Sequence, residues 1–271
     1  MSPAATSAAA TSANEQLLLR HNDRGIVTLT LNRPRQYNAL SDALLGELQS
    51  QLDAIASDGA VRIVIIAGAG QAFCAGHDLK EMRTRPDQAY YGDLFRRCSR
   101  MMLTITQMPQ PVIARVHGIA TAAGCQLVAA CDLAVASPEA RFATSGINVG
   151  LFCSTPAVAL SRNVSEKQAF EMLMTGDFID ADTALRYGLV NRVVPAGELD
   201  AAVTDLAHRI AGKSAVAVAT GKRLFYRQRE LGLSAAYELA AETMACNMMA
   251  EDVGEGIDAF MQKRPPVWKG R

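Results

Sequence analysis

Two short stretches of the chain carry residue types that can hold a developing negative charge. The first is Phe73-Cys-Ala-Gly-His-Asp-Leu-Lys-Glu-Met82, where small residues bring the backbone close to whatever sits above a tight turn. Such a turn aims the amide N–H groups that follow it outward. A plain strand-to-helix turn capped by Asp78 fits the same residues. The second is His117-Gly-Ile-Ala-Thr-Ala-Ala-Gly-Cys-Gln-Leu127, a strand end, a run of small residues and a helix start. Free N–H groups at a helix N-terminus stabilise negative charge. Close helix–sheet packing also demands small residues there. Two such turns after successive strands can converge on one oxygen, which is the geometry of an oxyanion hole.

Other chemistries find little support. Gly68-Ala-Gly70 follows a strand, but the third glycine of a dinucleotide fingerprint would fall on Phe73. The chain has no GxSxG elbow and no HExxH helix. Its six cysteines (Cys74, Cys98, Cys125, Cys131, Cys153, Cys246) form no CxxC pair, so zinc and thioredoxin-like chemistry are unsupported. They read as buried free thiols of a reducing compartment. The formal net charge is zero, which argues against a nucleic-acid partner. Arg96, Arg97 and Arg100 read as a solvated helix face. The longest apolar region, Val112 to Ala136, is broken by Arg115, His117, Gln126 and Asp132 and cannot span a membrane as one helix.

The elements that must position these turns follow from hydrophobic periodicity. Ile26 to Leu31 alternates apolar residues with Thr and reads as a strand. Ser41 caps a helix with an apolar face of Leu44, Leu45, Leu48, Leu52 and Ile55. Arg62 to Ala67 is a β-branched run, hence a fully buried strand. A helix near Leu94 to Gln107, a strand over Val112 to Val116, a helix over Ala122 to Ala130 and a strand over Leu133 to Ala136 follow. Strand–helix alternation of this kind implies parallel crossovers. Ser165-Glu-Lys-Gln168 predicts a capping box, and Val190 to Val194 a late strand. Helical periodicity then runs from Leu199 to about Lys263. The expected organisation is a disordered tail over 1–14, an α/β core over 15–200 and a helical region over 201–271.

The two turns, together with Arg33-Pro-Arg-Gln-Tyr-Asn-Ala-Leu40, Leu173-Met-Thr-Gly-Asp177 and Ala184 to Val194, resemble the crotonase (enoyl-CoA hydratase/isomerase) superfamily in order and spacing. The resemblance covers nearly the whole chain after the tail. Gly146 to Pro156 is most similar to the subgroup of enoyl-CoA hydratase domain-containing protein 3. The resemblance implies an α/β spiral of ββα turns with a helical C-terminal trimerisation region. It implies an acyl-CoA thioester as ligand, a trimer or dimer of trimers, and no cofactor beyond the coenzyme A of the substrate. The backbone N–H groups of His77 and Ala123 would form the oxyanion hole. Arg35, Gln36, Ala39, Ala75 and Leu79 would line the coenzyme site, with Phe260 and Lys263 closing on it from a neighbouring helix. The location expected is cytoplasmic for a bacterial protein, with the mitochondrial matrix open for a eukaryotic one.

One departure from the family pattern stands out. Hydratases of the family use two glutamates, which map here to Gln126 and Gly146. A third acidic position used by other members holds Ser154. Gln126 can orient a water but cannot take its proton, and Gly146 can do neither. Proton transfer by a placed side chain is worth roughly a hundred- to ten-thousand-fold in rate. The expectation is therefore slow hydration, raised by Gln126→Glu combined with Gly146→Glu. Decarboxylase-like enolate chemistry, which needs the hole but no base, and a non-catalytic acyl-CoA binder both stay open. So does a proton-carrying role for the His77 ring. His117, Cys125 and Cys153 read as packing residues, and Asp78 and Glu81 as braces of the first turn.

Overall fold

The computed structural model describes residues 16–271, so the tail expected over 1–14 lies outside the described residues. The chain opens with a hairpin of β1 (Leu18–Asp23) and β2 (Ile26–Leu31), whose two-residue turn, Arg24 and Gly25, has positive φ at both positions. Helix α1 (Asp42–Ala56) follows, with the Ser41 hydroxyl accepting from Leu44 N–H as its cap. Then come β3 (Ile63–Gly68), β4 (Ala72–Cys74), α2 (Leu79–Thr84) and α3 (Gln88–Gln107). The next turn is β5 (Val112–Val116), β6 (Ile119–Thr121) and α4 (Ala123–Ala130). A third is β7 (Leu133–Ala136), β8 (Arg141–Ala143), α5 (Ser154–Leu160) and α6 (Glu166–Thr175). The core closes with β9 (Ile179–Asp180), α7 (Ala181–Tyr187) and β10 (Arg192–Val193).

From β3 to β8 successive strands alternate between two sheets. The larger has the order β1-β2-β3-β5-β7-β10 and the smaller β4-β6-β8-β9. After the opening hairpin, the turns β3-β4, β5-β6 and β7-β8 each place one strand in each sheet, and the chain advances as a spiral. From β2 onward every pairing in the larger sheet is parallel. The β-branched run is buried on both faces, as its composition requires. Val64 and Ile66 join the main core with Leu29, Val112 and Leu48, while Ile63 and Ile65 join Ile113 and Val135 under the next helix.

That helix is α8 (Leu199–Ala211), which contributes Leu199, Val203 and Ala207 to the second core cluster. The long periodic stretch after Leu199 is divided into four helices, with α9 (Ala215–Gln228), α10 (Leu233–Asn247) and α11 (Glu251–Met261) following. Lys222 of α9 is buried, and its ammonium donates to Asp132 Oδ2 at 2.7 Å and to the carbonyls of Ile105 and Gln110. Tyr226 donates to the other Asp132 oxygen at 2.8 Å. All three ammonium hydrogens thus have acceptors, the condition under which a buried charge is tolerated. By contrast, α10 keeps Leu233, Tyr237 and Met244 exposed.

Two local expectations need correction. Ser165 is the N-cap of α6, but its hydroxyl meets Gln168 Oε1 at 2.6 Å and makes no bond to a backbone N–H, so no capping box forms. The late strand is only Arg192–Val193, because just these residues pair with β7. Five cysteines are buried and Cys246 is exposed, all as free thiols.

Candidate active site

The first turn is held by the loop before α1. Asn38 is fully buried with φ of 55°; its amide donates to the carbonyls of Ala69 (2.8 Å) and Ala72 (2.7 Å), and its oxygen accepts from Arg33 N–H. Arg33 also pairs with Asp78 at 2.9 Å. Asp78 in turn accepts from the N–H groups of Lys80 and Glu81, capping α2, and Glu81 accepts from Asp42 N–H. Leu40 N–H donates to the Gly76 carbonyl, and Asp78 N–H to the Leu40 carbonyl. Residue 77 is thereby pinned at both peptide neighbours. Among the described residues, nothing accepts its own N–H.

The second turn meets the first at Gly76. Its φ is +89°, and a Cβ there would stand 2.9 Å from Ala122 Cβ and 3.1 Å from Ala123 N. Glycine is required both by conformation and by space. Ala122 is the N-cap of α4 with φ of 50° and ψ of −119°, a region that L-residues avoid. The positive φ thus falls on Ala122 and not on Ala123, so Ala123 enters the helix normally and its N–H points out of the first turn. Among the described residues that N–H also has no acceptor. The small residues serve packing as well: a Cβ on Gly124 would lie 2.0 Å from the Cys74 carbonyl oxygen. Both readings of the small-residue run hold at once.

A cavity of about 210 Å³ opens above these two amides. It is lined by Ala75, Leu79, Met82 and Phe95 from the first turn and α3, and by Ser145, Gly146, Val149 and residues 151–156. No carboxylate, lysine or arginine is among its lining residues. The His77 ring is packed edge-on to Phe95 at 5.5 Å, and both its nitrogens are buried without a partner. Burial pushes its pKa down to about 4, against the pull of Asp42 nearby, so the ring is neutral at pH 7. His77 lines the cavity, and with both ring nitrogens buried its backbone N–H is the polar group that residue 77 can offer there.

The two positions of the missing acids behave differently. Gln126 is buried in α4, its carboxamide oxygen has no partner, and it does not line the cavity. Gly146 does line it, but a Cβ there would sit 2.5 Å from the Leu151 carbonyl oxygen and 2.8 Å from Cys153 Sγ. The chain folds back through Gly150 at φ +80°, with Leu151 N–H donating to the Gly146 carbonyl. The space for a glutamate at 146 is filled, so the expected gain from Gln126→Glu with Gly146→Glu has no room to arise.

The other expected site residues divide. Ala75 and Leu79 line the cavity. Arg35 and Gln36 are exposed on the turn Pro34–Gln36, and Ala75 N–H donates to the carbonyl of the next residue, Tyr37. Ala39 is buried and offers its carbonyl to Arg33. Phe260, 84% exposed, and Lys263 lie at the end of α11, and the single chain does not bring them to the cavity. His117 bonds the Gly70 carbonyl at 2.8 Å. Cys153 lines the cavity, while Cys125 is buried in α4, where burial pushes its thiol up to about 12. Sequence reasoning missed Asn38, whose only signal was an Asn within the Arg33–Leu40 motif. It also missed Thr121 and Ser145, whose hydroxyls meet at 2.7 Å, with Ser145 lining the cavity.

Comparison with known proteins places the chain in a family. The family described as enoyl-CoA hydratase/isomerase matches residues 21–271. Enoyl-CoA hydratase domain-containing protein 3, mitochondrial, of Rattus norvegicus is 46% identical over 267 residues, covering 98% of this chain and 89% of the relative. The crystal structure of an enoyl-CoA hydratase of Mycobacterium smegmatis is 60% identical with a TM-score of 0.93, covering 94% of this chain and 99% of that one. That of human enoyl-CoA hydratase domain-containing protein 3 is 46% identical with a TM-score of 0.91, covering 93% and 100%. With this spiral of paired strands and this sequence match over nearly its whole length, the chain belongs to the enoyl-CoA hydratase/isomerase (crotonase) family.

Proposed function

We propose that the protein binds an acyl-CoA thioester and polarises its carbonyl through the N–H groups of His77 and Ala123. One observation carries this reading: the two turns meet at Gly76, where an added Cβ would stand 3.1 Å from Ala123 N, and among the described residues neither amide has an acceptor beneath the cavity. The first turn of α4 adds its dipole to the second donor. The coenzyme would run along Arg35, Gln36, Ala39, Ala75 and Leu79, and it is the only cofactor the reading calls for.

The chemistry is of the enoyl-CoA hydratase/isomerase type, with water addition slow. Hydration needs a base for water and an acid for Cα, and no side chain lining the cavity supplies either near neutral pH. The same absence favours a second reading, a non-catalytic acyl-CoA binder. Titration with butyryl-CoA by calorimetry, beside a crotonyl-CoA hydration assay, tests both. Binding with hydration far below about 10 per second supports the first reading, and binding with no turnover of any thioester supports the second. No heat with butyryl-CoA contradicts both.

The exposed apolar residues of α10 and α11, among them Leu233, Tyr237, Met244, Phe260 and Met261, favour association. The reading is a trimer-based oligomer in which Phe260 and Lys263 reach a neighbour's coenzyme. A monomer by light scattering at micromolar concentration contradicts it. The rat relative is named mitochondrial; for this chain the reading is the mitochondrial matrix in a eukaryote and the cytoplasm in a bacterium.

A further inference from the structure

Within one chain, the last three helices are barely held by apolar contact. Helix α10 buries no side chain, α9 buries only Lys222, and α11 buries only Asp252 and Ala259. Lys222 ties α9 to Asp132 of the core. What ties α11 is polar and lies in the residues that follow it. Asp252, 2% exposed, accepts from the N–H groups of Lys269 (2.7 Å) and Gly270 (3.1 Å) and from the Ser214 hydroxyl (2.6 Å). Its own N–H donates to the Arg271 carbonyl. A buried carboxylate is tolerated when it is satisfied in this way. Three residues on, Glu255 grips the Arg264 guanidinium with both oxygens, at 2.6 and 2.8 Å, and accepts from Val267 N–H at 2.7 Å. The indole N–H of Trp268 donates to the Gly212 carbonyl at 2.9 Å, and its ring lies against Gly256, where a Cβ would stand 3.2 Å from it. Residues 264–271 thus run back along α11 and fasten it to the corner between α8 and α9.

The return starts at Lys263. Its φ is 54°, in the left-handed region that non-glycine residues seldom enter. Arg264 N–H donates to the Ala259 carbonyl, and the Glu255 fork holds the Arg264 side chain. A two-pronged fork of this kind fixes direction as well as adding energy. Together these contacts hold Lys263 in its turn at the tip of α11, three residues after Phe260. We propose that residues 264–271 are a strap, closed by Asp252 and Glu255, that positions the tip of α11 for the nucleotide end of the coenzyme. The proposal rests on the acyl-CoA reading above, in which Phe260 and Lys263 reach a neighbour's coenzyme. It makes Asp252 and Glu255 positioning residues that act through the strap and touch no ligand.

Glu255→Arg opens the fork, and Glu255→Arg with Arg264→Glu closes it again with the charges exchanged. Trp268, the single tryptophan of the chain, reports on the strap by its fluorescence. Butyryl-CoA and butyryl-pantetheine, the same thioester without the nucleotide, separate the two ends of the ligand by calorimetry. Glu255→Arg should shift the Trp268 emission to the red and weaken butyryl-CoA binding by about 10-fold, which is what one charge-assisted hydrogen bond contributes. It should leave butyryl-pantetheine binding unchanged. The exchanged pair should restore most of the emission and of the affinity, and Asp252→Ala should act like Glu255→Arg. Each variant should keep the mass of the natural assembly by light scattering. Unchanged butyryl-CoA affinity in a variant whose emission has shifted would overturn the proposal, and so would an emission that does not shift. Equal loss of both thioesters, or a variant that dissociates, would overturn it too, because the strap would then hold the fold or the assembly and not the site. If the natural protein binds neither thioester, the acyl-CoA reading itself fails, an outcome separate from binding that ignores the strap.

Discussion

Gly76 and Ala123, 47 positions apart, are in backbone contact: a Cβ on the first would stand 3.1 Å from the nitrogen of the second. The juxtaposition joins the end of β4 to the start of α4 and defines the proposed oxyanion hole. Gly76→Ala forces a side chain into positive φ and against Ala122 Cβ at 2.9 Å. It should cost about 1–3 kcal/mol of stability and abolish thioester binding. Gly46, inside α1 with nothing within 4 Å of its Cβ position, is the control. Gly46→Ala should instead stabilise by about 0.5–1 kcal/mol. Urea midpoints of the two variants should move in opposite directions.

The strain at Ala122 yields a second outcome. Ala122→Gly releases a conformation costing about 1–3 kcal/mol and adds about 0.5–1 kcal/mol of unfolded-state entropy, so it should be neutral or stabilising. Any other Ala→Gly change in α4 should destabilise. A fall in melting temperature for Ala122→Gly comparable to that of Ala129→Gly would contradict the strain.

Acid should weaken the fold through His77. Its pKa, about 4 in the folded protein and about 6.5 in the unfolded chain, means that the unfolded state binds the extra proton between those values. Stability therefore rises with pH across this window and is lost as pH falls from about 6.5 towards 4, by up to about 3 kcal/mol. His77→Phe keeps the backbone donor and should flatten that part of the curve. Chemical denaturation at pH 4.5 and 7.5 for both proteins measures it.

Lys222 should be a stability residue and not a catalytic one. Lys222→Met leaves Asp132 buried without its cation and should cost about 3–5 kcal/mol. Adding Asp132→Asn should recover part of the loss. Additive losses in this double-mutant cycle would show that the pair is not coupled.

Much of this arrangement was legible in the sequence, for reasons that differ by element. The larger sheet was visible because β3 is buried on both faces and so must be an unbroken β-branched run. The edge strand β1 was not, since five of its six residues are exposed. The smaller sheet escaped because its strands have two or three residues, too few to show a period of two. The two turns that meet at Gly76 were legible from their small residues. The crowding at Gly146 was not, because it comes from the Leu151 carbonyl returning across five residues. Nor was the Thr121–Ser145 pair, which only the register of β6 against β8 creates.

That crowding shapes a further expectation, about the absent acids. Gly146→Glu should destabilise by about 1–3 kcal/mol through overpacking, alone or with Gln126→Glu. Neither variant should reach brisk crotonyl-CoA hydration. A double variant that hydrates crotonyl-CoA well above the natural protein would mean that the segment 149–153 moves aside.

The most direct measurement is a crystal structure with butyryl-CoA bound. The thioester oxygen should lie about 2.7–3.1 Å from the backbone nitrogens of both His77 and Ala123. A thioester oxygen out of reach of either nitrogen, with the acyl chain seated elsewhere, would contradict it.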